Sequence, residues 1–208
     1  SVDKENKNRI ISAAENLFLR FGVRSVTMDD VAREVSMSKK TLYHFFENKD
    51  SLVTAVARDH LKKERQEYSE VASSSANSIE ELHQIATCMR KNLLKMNPSL
   101  LHDLQKFHSD AWKEFLEFKQ AFIKDNVKDN LIRGMEEGFY RADLDPEILA
   151  VFRVEQVQMI FEEKIFPQDK FDFATVQMEL FNHFIHGLLS EKGREEFNKY
   201  QEELKTAL

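Results

Sequence analysis

The sequence predicts an all-α protein in two parts: a three-helix N-terminal domain containing a helix-turn-helix, and a larger helical domain reached through a fourth helix. Three observations predict it. Apolar residues recur at helical spacing along the chain, with no useful run of strand-like alternation. Only five Gly and three Pro interrupt 208 residues, which suits long helices better than a turn-rich β architecture. Cap residues punctuate the apolar runs, and they crowd together between residues 25 and 53.

Ile10, Ala14, Leu17, Phe18 and Phe21 form one face of a first helix that ends near Gly22. Thr27 followed by Asp30 approximates a capping box, although Glu or Gln is the usual third residue. The short helix it opens has Val31, Ala32 and Val35 as its apolar face. Ser38 is the cap of a second short helix of about two turns, with Leu42 and Phe46 inward and Lys39, Lys40, Thr41, Tyr43 and His44 outward. Asn48 caps a fourth helix carrying Leu52, Val53, Val56, Ala57 and Leu61, and this helix is expected to reach about Tyr68.

Residues 73–78, SSSANS, read as a linker, with Ser78 capping the next helix as far as Asn97-Pro98. A short helix over 99–106 precedes a long one over 110–137, closed by Gly138 as a C′ residue. Asp145-Pro146 opens a helix expected to run to about Lys164 and to stop before Pro167. Another spans about 172–190, and a charged helix over about 194–204 closes the chain.

Two capped short helices joined by a tight turn, with a basic outer face on the second, make a DNA-reading device. Helix N-termini favour phosphate. Lys49 sits in the first turn of its helix, against the dipole, which makes better sense beside a phosphate. The plainer alternative is a solvated basic face.

This segment also resembles a known family. Ile11, Ala13, Ala14, Leu17, Phe18 and Gly22, then Thr27, Val31, Ala32, Ser38, Thr41, Leu42, Tyr43, Phe46, Lys49 and Leu52 match the N-terminal signature of tetracycline-repressor (TetR) family regulators, over roughly residues 9–56. Ser36 departs from it, since the family usually has Gly in that turn, and a slightly strained turn is expected. The resemblance implies a homodimer placing two recognition helices in successive major grooves of a palindromic operator. It divides the chain into a DNA-binding domain, residues 1–50, and an effector-binding and dimerisation domain, residues 51–208. Carried over by position, Thr27, Lys39, Tyr43, His44 and Lys49 are backbone-positioning residues, while Lys40 and Thr41 are candidates for base edges. Thr27 and Ser38 also have a second reading as caps alone, worth about 1 kcal/mol each.

In the larger domain the resemblance implies that the last two long helices pair with their mates in a four-helix interface, through Phe152, Val157, Ile160, Phe181, Phe184, Ile185 and Leu188. The alternative is that these faces fill the chain's own core. Phe107, His108, Trp112, Phe115, Phe118, Phe122 and Phe152 are candidates for lining a pocket for an apolar or aromatic effector, against the alternative of solid core. The expected function is a ligand-responsive repressor. A DNA-binding dimer controlled by a protein partner or by abundance is the alternative.

No cofactor and no metal are expected: His183 and His186 stand at i, i+3 but lack a third ligand at matching spacing. No nucleophile–base arrangement or Gly-rich phosphate loop suggests an enzyme. Cys88, the single cysteine, reads as a small apolar residue. With no long apolar run, a soluble cytoplasmic protein without membrane contact is expected. The net charge is −6, yet residues 1–60 hold ten basic and nine acidic residues, so the acidity lies outside the reading segment. Affinity should then depend on a few placed cations, with a modest salt dependence.

Overall fold

The computed structural model describes the backbone of residues 1–206 and the side chains of residues 1–202. The helices are α1 (Val2–Phe21), α2 (Met28–Glu34), α3 (Lys39–Phe45), α4 (Lys49–Ser74), α5 (Ser78–Lys95), α6 (Leu100–Phe107), α7 (Ser109–Glu117), a π-helical turn (Phe118–Ile123), α8 (Lys124–Glu136), α9 (Pro146–Met159), α10 (Phe173–Leu188) and α11 (Glu191–Thr206). Among the described residues the extended pairing is a single antiparallel bridge between Tyr140 and Leu189. No described helix is long and apolar enough to cross a membrane.

The chain divides into two compact units, each discontinuous in sequence. One comprises residues 1–65 and 95–118, the other residues 66–94 and 119–208. The boundaries fall inside α4, at the last residue of α5 and in the π-helical turn. The first core draws Ile10, Ala14 and Phe18 from α1, Val31 and Ala32 from α2, Leu42 from α3, and Leu52, Val53 and Val56 from α4. Leu104 of α6 and Ala111 of α7 are buried in the same cluster, with Trp112 packed against it. Burying each such Leu, Ile, Val or Phe contributes about 1.5–3 kcal/mol, so α6 and α7 are structural members of this unit.

Local chemistry explains most boundaries. Gly22 (φ 81°) and Gly138 (φ 76°) adopt the left-handed backbone that ends their helices. Asp145 accepts from the amides of Glu147 and Ile148, and Asp172 accepts from Thr175, as N-caps should. Several expectations needed correction. The fourth helix runs on to Ser74, which shortens the linker to residues 75–77. Asn77, not Ser78, caps α5: its Oδ1 accepts from Glu80 N at 2.9 Å, while Ser78 is fully buried and gives its amide to Glu137. The long helix over 110–137 contains the π-helical turn. The helix from Pro146 stops at Met159, because Phe161 and Glu162 fold back onto Gln158 and Met159 in tight turns. The final helix begins at Glu191, three residues before expectation.

The second core gathers Ile79 and Leu82 from α5, Leu131 from α8, Phe181, Phe184, Ile185 and Leu188 from α10, and Phe197 from α11. A smaller cluster holds Ile160, Phe173 and Val176. Asn130 anchors a buried polar network in this unit: its Nδ2 donates to Ser78 O and to Glu81 Oε2, and it accepts from the Tyr140 hydroxyl at 2.8 Å. Gly134 is required beside it, because a Cβ there would meet the Tyr140 ring at 2.0 Å.

Candidate nucleic-acid interface

Helix α2 begins with a complete capping box. Asp30 N donates to Thr27 Oγ1 at 3.1 Å and Thr27 N donates to Asp30 Oδ2 at 2.9 Å. These bonds hold the Asp30 carboxyl below its ordinary pKa. Three residues separate α2's C-cap from α3: Ser36, Met37 and Ser38. Ser36 has φ 54°, the one non-glycine residue with positive φ among the described residues, so the expected strain in the turn is present. Arg9 Nη2 reaches from α1 to Val35 O at 3.1 Å and holds the approach to that turn.

Helix α3 begins with Ser38 Oγ accepting from Thr41 N at 3.1 Å, and the two hydroxyls share a further hydrogen bond of 2.8 Å. Thr41 is thus exposed with its hydroxyl engaged by Ser38. Leu42 is fully buried and Phe46 nearly so, which fixes the helix's rotation. The opposite face is left to solvent: Lys39, Lys40, Thr41, Tyr43 and His44 are all exposed, as are Thr27 and Ser38. Lys39 Nζ lies 3.1 Å from Asp29 of α2, a surface pair that a phosphate would replace at little cost. Lys40 has no ion-pair partner among the described residues.

Lys49 differs from the other candidates. Its Nζ donates to Val23 O at 2.5 Å and the side chain is half-buried. Desolvation lowers its pKa, against the opposing charges of Asp103 and Asp30. It ties α4 to the α1–α2 connection and projects less than the exposed group. Asn48 and Ser51 form a reciprocal cap at the same helix start, as expected of Asn48.

The residues expected to line an effector pocket fall in both units. Phe107, His108, Trp112, Phe115 and Phe118 belong to the first, Phe122 and Phe152 to the second. Those in the first unit have structural employment. Arg24 stacks over Phe107 at 4.8 Å, His108 Nδ1 lies 2.8 Å from Asp50 Oδ1, and Trp112 stacks on Phe115. Of the residues expected at a dimer interface, Ile160, Phe181, Phe184, Ile185 and Leu188 are buried in the chain's own core and have no surface to offer a partner. Val157 is partly buried and Phe152 is exposed. The exposed apolar stripe on α9 is Ile148, Val151 and Phe152, at i, i+3 and i+4, with Ile148 66% exposed. Overlooked in the sequence were Arg153, Gln156 and Gln177, all buried. The signal was an Arg and a Gln three residues apart, on one face of a helix that is rich in apolar residues.

Comparison with known proteins agrees with this geometry. Residues 10–56 match the model of bacterial regulatory proteins of the tetR family. A helix-turn-helix regulator of Bacillus subtilis, YvaF, is 23% identical over 187 residues, spanning 88% of this chain and 96% of that protein. The transcriptional repressor KstR2 of Mycobacterium tuberculosis is 24% identical over 149 residues, 70% of this chain and 74% of the repressor. The fold matches that of a TetR-family regulator from Agrobacterium tumefaciens with a TM-score of 0.73, at 13% identity, over 90% of this chain and all of that one. The matched segment is the one that forms the capped helix pair with its exposed basic face, and over residues 10–56 the chain is similar to the DNA-binding segment of tetR-family regulators.

Proposed function

We propose that the chain is a repressor that binds a palindromic operator as a homodimer in the cytoplasm and leaves it when an effector binds the helical region beyond residue 50. The observation that carries the DNA-binding part is the outer face of α3, where Lys39, Lys40, Thr41, Tyr43 and His44 stand exposed on a helix whose rotation Leu42 locks. In this reading Lys40 and the Thr41 methyl meet base edges. Thr27, Ser38, Lys39, Tyr43, His44 and Lys49 set the register on phosphates. Repression is supported by likeness to KstR2, itself a repressor.

Dimerisation is supported by Ile148, Val151 and Phe152, an exposed apolar stripe of the kind that isologous contacts cover. A dimer would place two copies of α3 about 34–36 Å apart, or a multiple of that spacing. Response to an effector is supported by α4, one unbroken helix from Lys49 in the reading unit to Ser74 in the second. A ligand that prefers one position of such a helix shifts the population of DNA-competent dimers by its differential affinity alone.

The test is fluorescence anisotropy with an operator selected by the protein from a random-sequence pool. Lys40→Ala with Tyr43→Ala should weaken binding by about 100-fold or more, at about 1–3 kcal/mol per contact, with the folding midpoint unchanged. Undiminished affinity in the double variant would refute the assignment of α3 as the reading helix.

A further inference from the structure

Helices α9 and α10 enclose a buried polar stripe. Arg153 of α9 stands over the rings of Phe181 and Phe184 of α10, at 5.7 and 5.3 Å, while Ile160, just past the C-terminal end of α9, clusters with Phe173 and Val176. Rising numbers on one helix meet falling numbers on the other, so the pair is antiparallel. Gln156 lies one turn beyond Arg153 on the same face of α9. Gln177 lies one turn before Phe181 on α10. All three polar groups therefore occupy one seam, between the large apolar cluster and the small one. Their exposures are 5%, 5% and 0%.

Among the described residues, no hydrogen-bond partner reaches Arg153 Nη1, Gln156 Oε1, or either amide atom of Gln177. Burial pulls the Arg153 guanidinium down to about 10, which still leaves it a cation at neutral pH. A buried cation that stands over aromatic rings with no carboxylate paired to it among the described residues is costly, and an apolar residue of similar volume would pack there at lower free energy. The stripe has the composition of a site and lacks the satisfied geometry of a structural network.

We propose that this seam binds a monocarboxylate with an apolar body, its carboxylate on Arg153 and Gln177 and its hydrocarbon between the two apolar clusters. A guanidinium edge matches a carboxylate by paired N–H donors. The Gln177 amide supplies a further donor to the anion. One buried cation suits one negative charge. Lys119, the other buried cation that contacts α9, is engaged with Glu155 at 3.2 Å and with Gln158, which lie on the opposite face of α9 from Arg153 and Gln156. Among the described residues that leaves no second buried cation in the seam for the second charge of a phosphate. This proposal rests on the reading that the second unit binds an effector, and it names the effector's chemical class.

The test titrates the 208-residue chain with octanoate and with octanamide by calorimetry, and follows thermal unfolding in parallel. Octanoate should bind and raise the unfolding midpoint, and octanamide should bind about tenfold or more weakly. Arg153→Met should lose octanoate by about the same factor, yet unfold without ligand at or above the wild-type midpoint. Gln177→Leu, which keeps the cation, should weaken octanoate about three- to tenfold. Failure of octanoate to bind, equal affinity for octanamide, unchanged binding in Arg153→Met, or a lower midpoint for that variant each overturns the site. Operator release is read separately. Octanoate that binds through Arg153 but leaves the operator complex intact keeps the site and refutes the effector reading of this seam. Octanoate that releases wild type and Arg153→Met alike keeps the effector reading and overturns the site.

Discussion

The polar side chains of α2 and α3 and those of the second unit's interior are held in opposite ways. Thr27, Asp30, Ser38 and Thr41 bond to partners three residues away, at the surface. Asn130, Tyr140 and Ser78 bond across 10 to 62 residues of chain, in the dark of a core. A local bond at the surface forms as the helix forms, and losing it lets water take its place. A long-range bond inside the core exists only once the whole unit has packed, and losing it leaves its partners dry. The two regions should therefore respond to damage by very different amounts.

The sharpest way to break that contrast is to remove one polar group from each. Asn130→Leu takes a hydrogen bond from the Tyr140 hydroxyl, the Ser78 carbonyl and one oxygen of the buried Glu81, leaving the first two only their 3.2 Å bond to each other. Each abandoned group costs about 1–3 kcal/mol, so a loss on the order of 3 kcal/mol is expected. Thr27→Ala removes one side of the capping box and should cost about 1 kcal/mol. Urea denaturation of both variants measures the difference. Equal losses would mean that the second unit's network is no more cooperative than a surface cap.

The same contrast decides what was legible in the sequence. Caps at Thr27, Ser38, Asn48 and Asp145, and left-handed stops at Gly22 and Gly138, depend on neighbours within a few residues, and the structure has them. Ser78 was misread because its burial depends on Asn130 and Glu137, more than fifty residues away. The membership of α6 and α7 in the first unit was hidden for the same reason: His108 meets Asp50 across 58 residues. The face of α3 could be read from the spacing of Leu42 and Phe46 alone. The face of α9 could not, because Val154 and Phe152 are both apolar in sequence and only packing within the second unit buries the first and leaves the second exposed.

An intermediate case lies between α1 and α4. His60 Nδ1 is 3.3 Å from Glu15 Oε1, and its Nε2 is 3.6 Å from Glu64 Oε1. Burial pushes its pKa down, but hydrogen bonds to the two carboxylates, with their charge, hold it up at about 10. The folded value lies above the unfolded one of about 6.5, so protonated His60 stabilises the fold. That contribution is complete below about pH 6.5 and is lost as pH rises through 10. His60→Gln should therefore lower the urea midpoint most at pH 6 and hardly at all near pH 10.5. A deficit that stays constant over this range would mean that the imidazole contributes packing and not charge.

The smallest expected effect concerns the turn between α2 and α3, where the bonds are local yet the backbone is strained. Ser36 occupies φ 54° with its side chain exposed. A side chain there costs about 1–2 kcal/mol in Cβ crowding, and Gly would relieve it. Gly would also widen the unfolded ensemble, returning roughly 0.5–1 kcal/mol of that gain. Ser36→Gly should then stabilise the chain by about 0.5 kcal/mol, and Ser36→Val should destabilise it. The relaxed turn also frees the angle between α2 and α3, which Arg9 on Val35 O steadies from one side only. Operator affinity in Ser36→Gly should stay within about twofold of wild type if Leu42 and Phe46 fix the position of α3. A larger drop would assign the orientation of the reading helix to the strained serine instead of to the core beneath it.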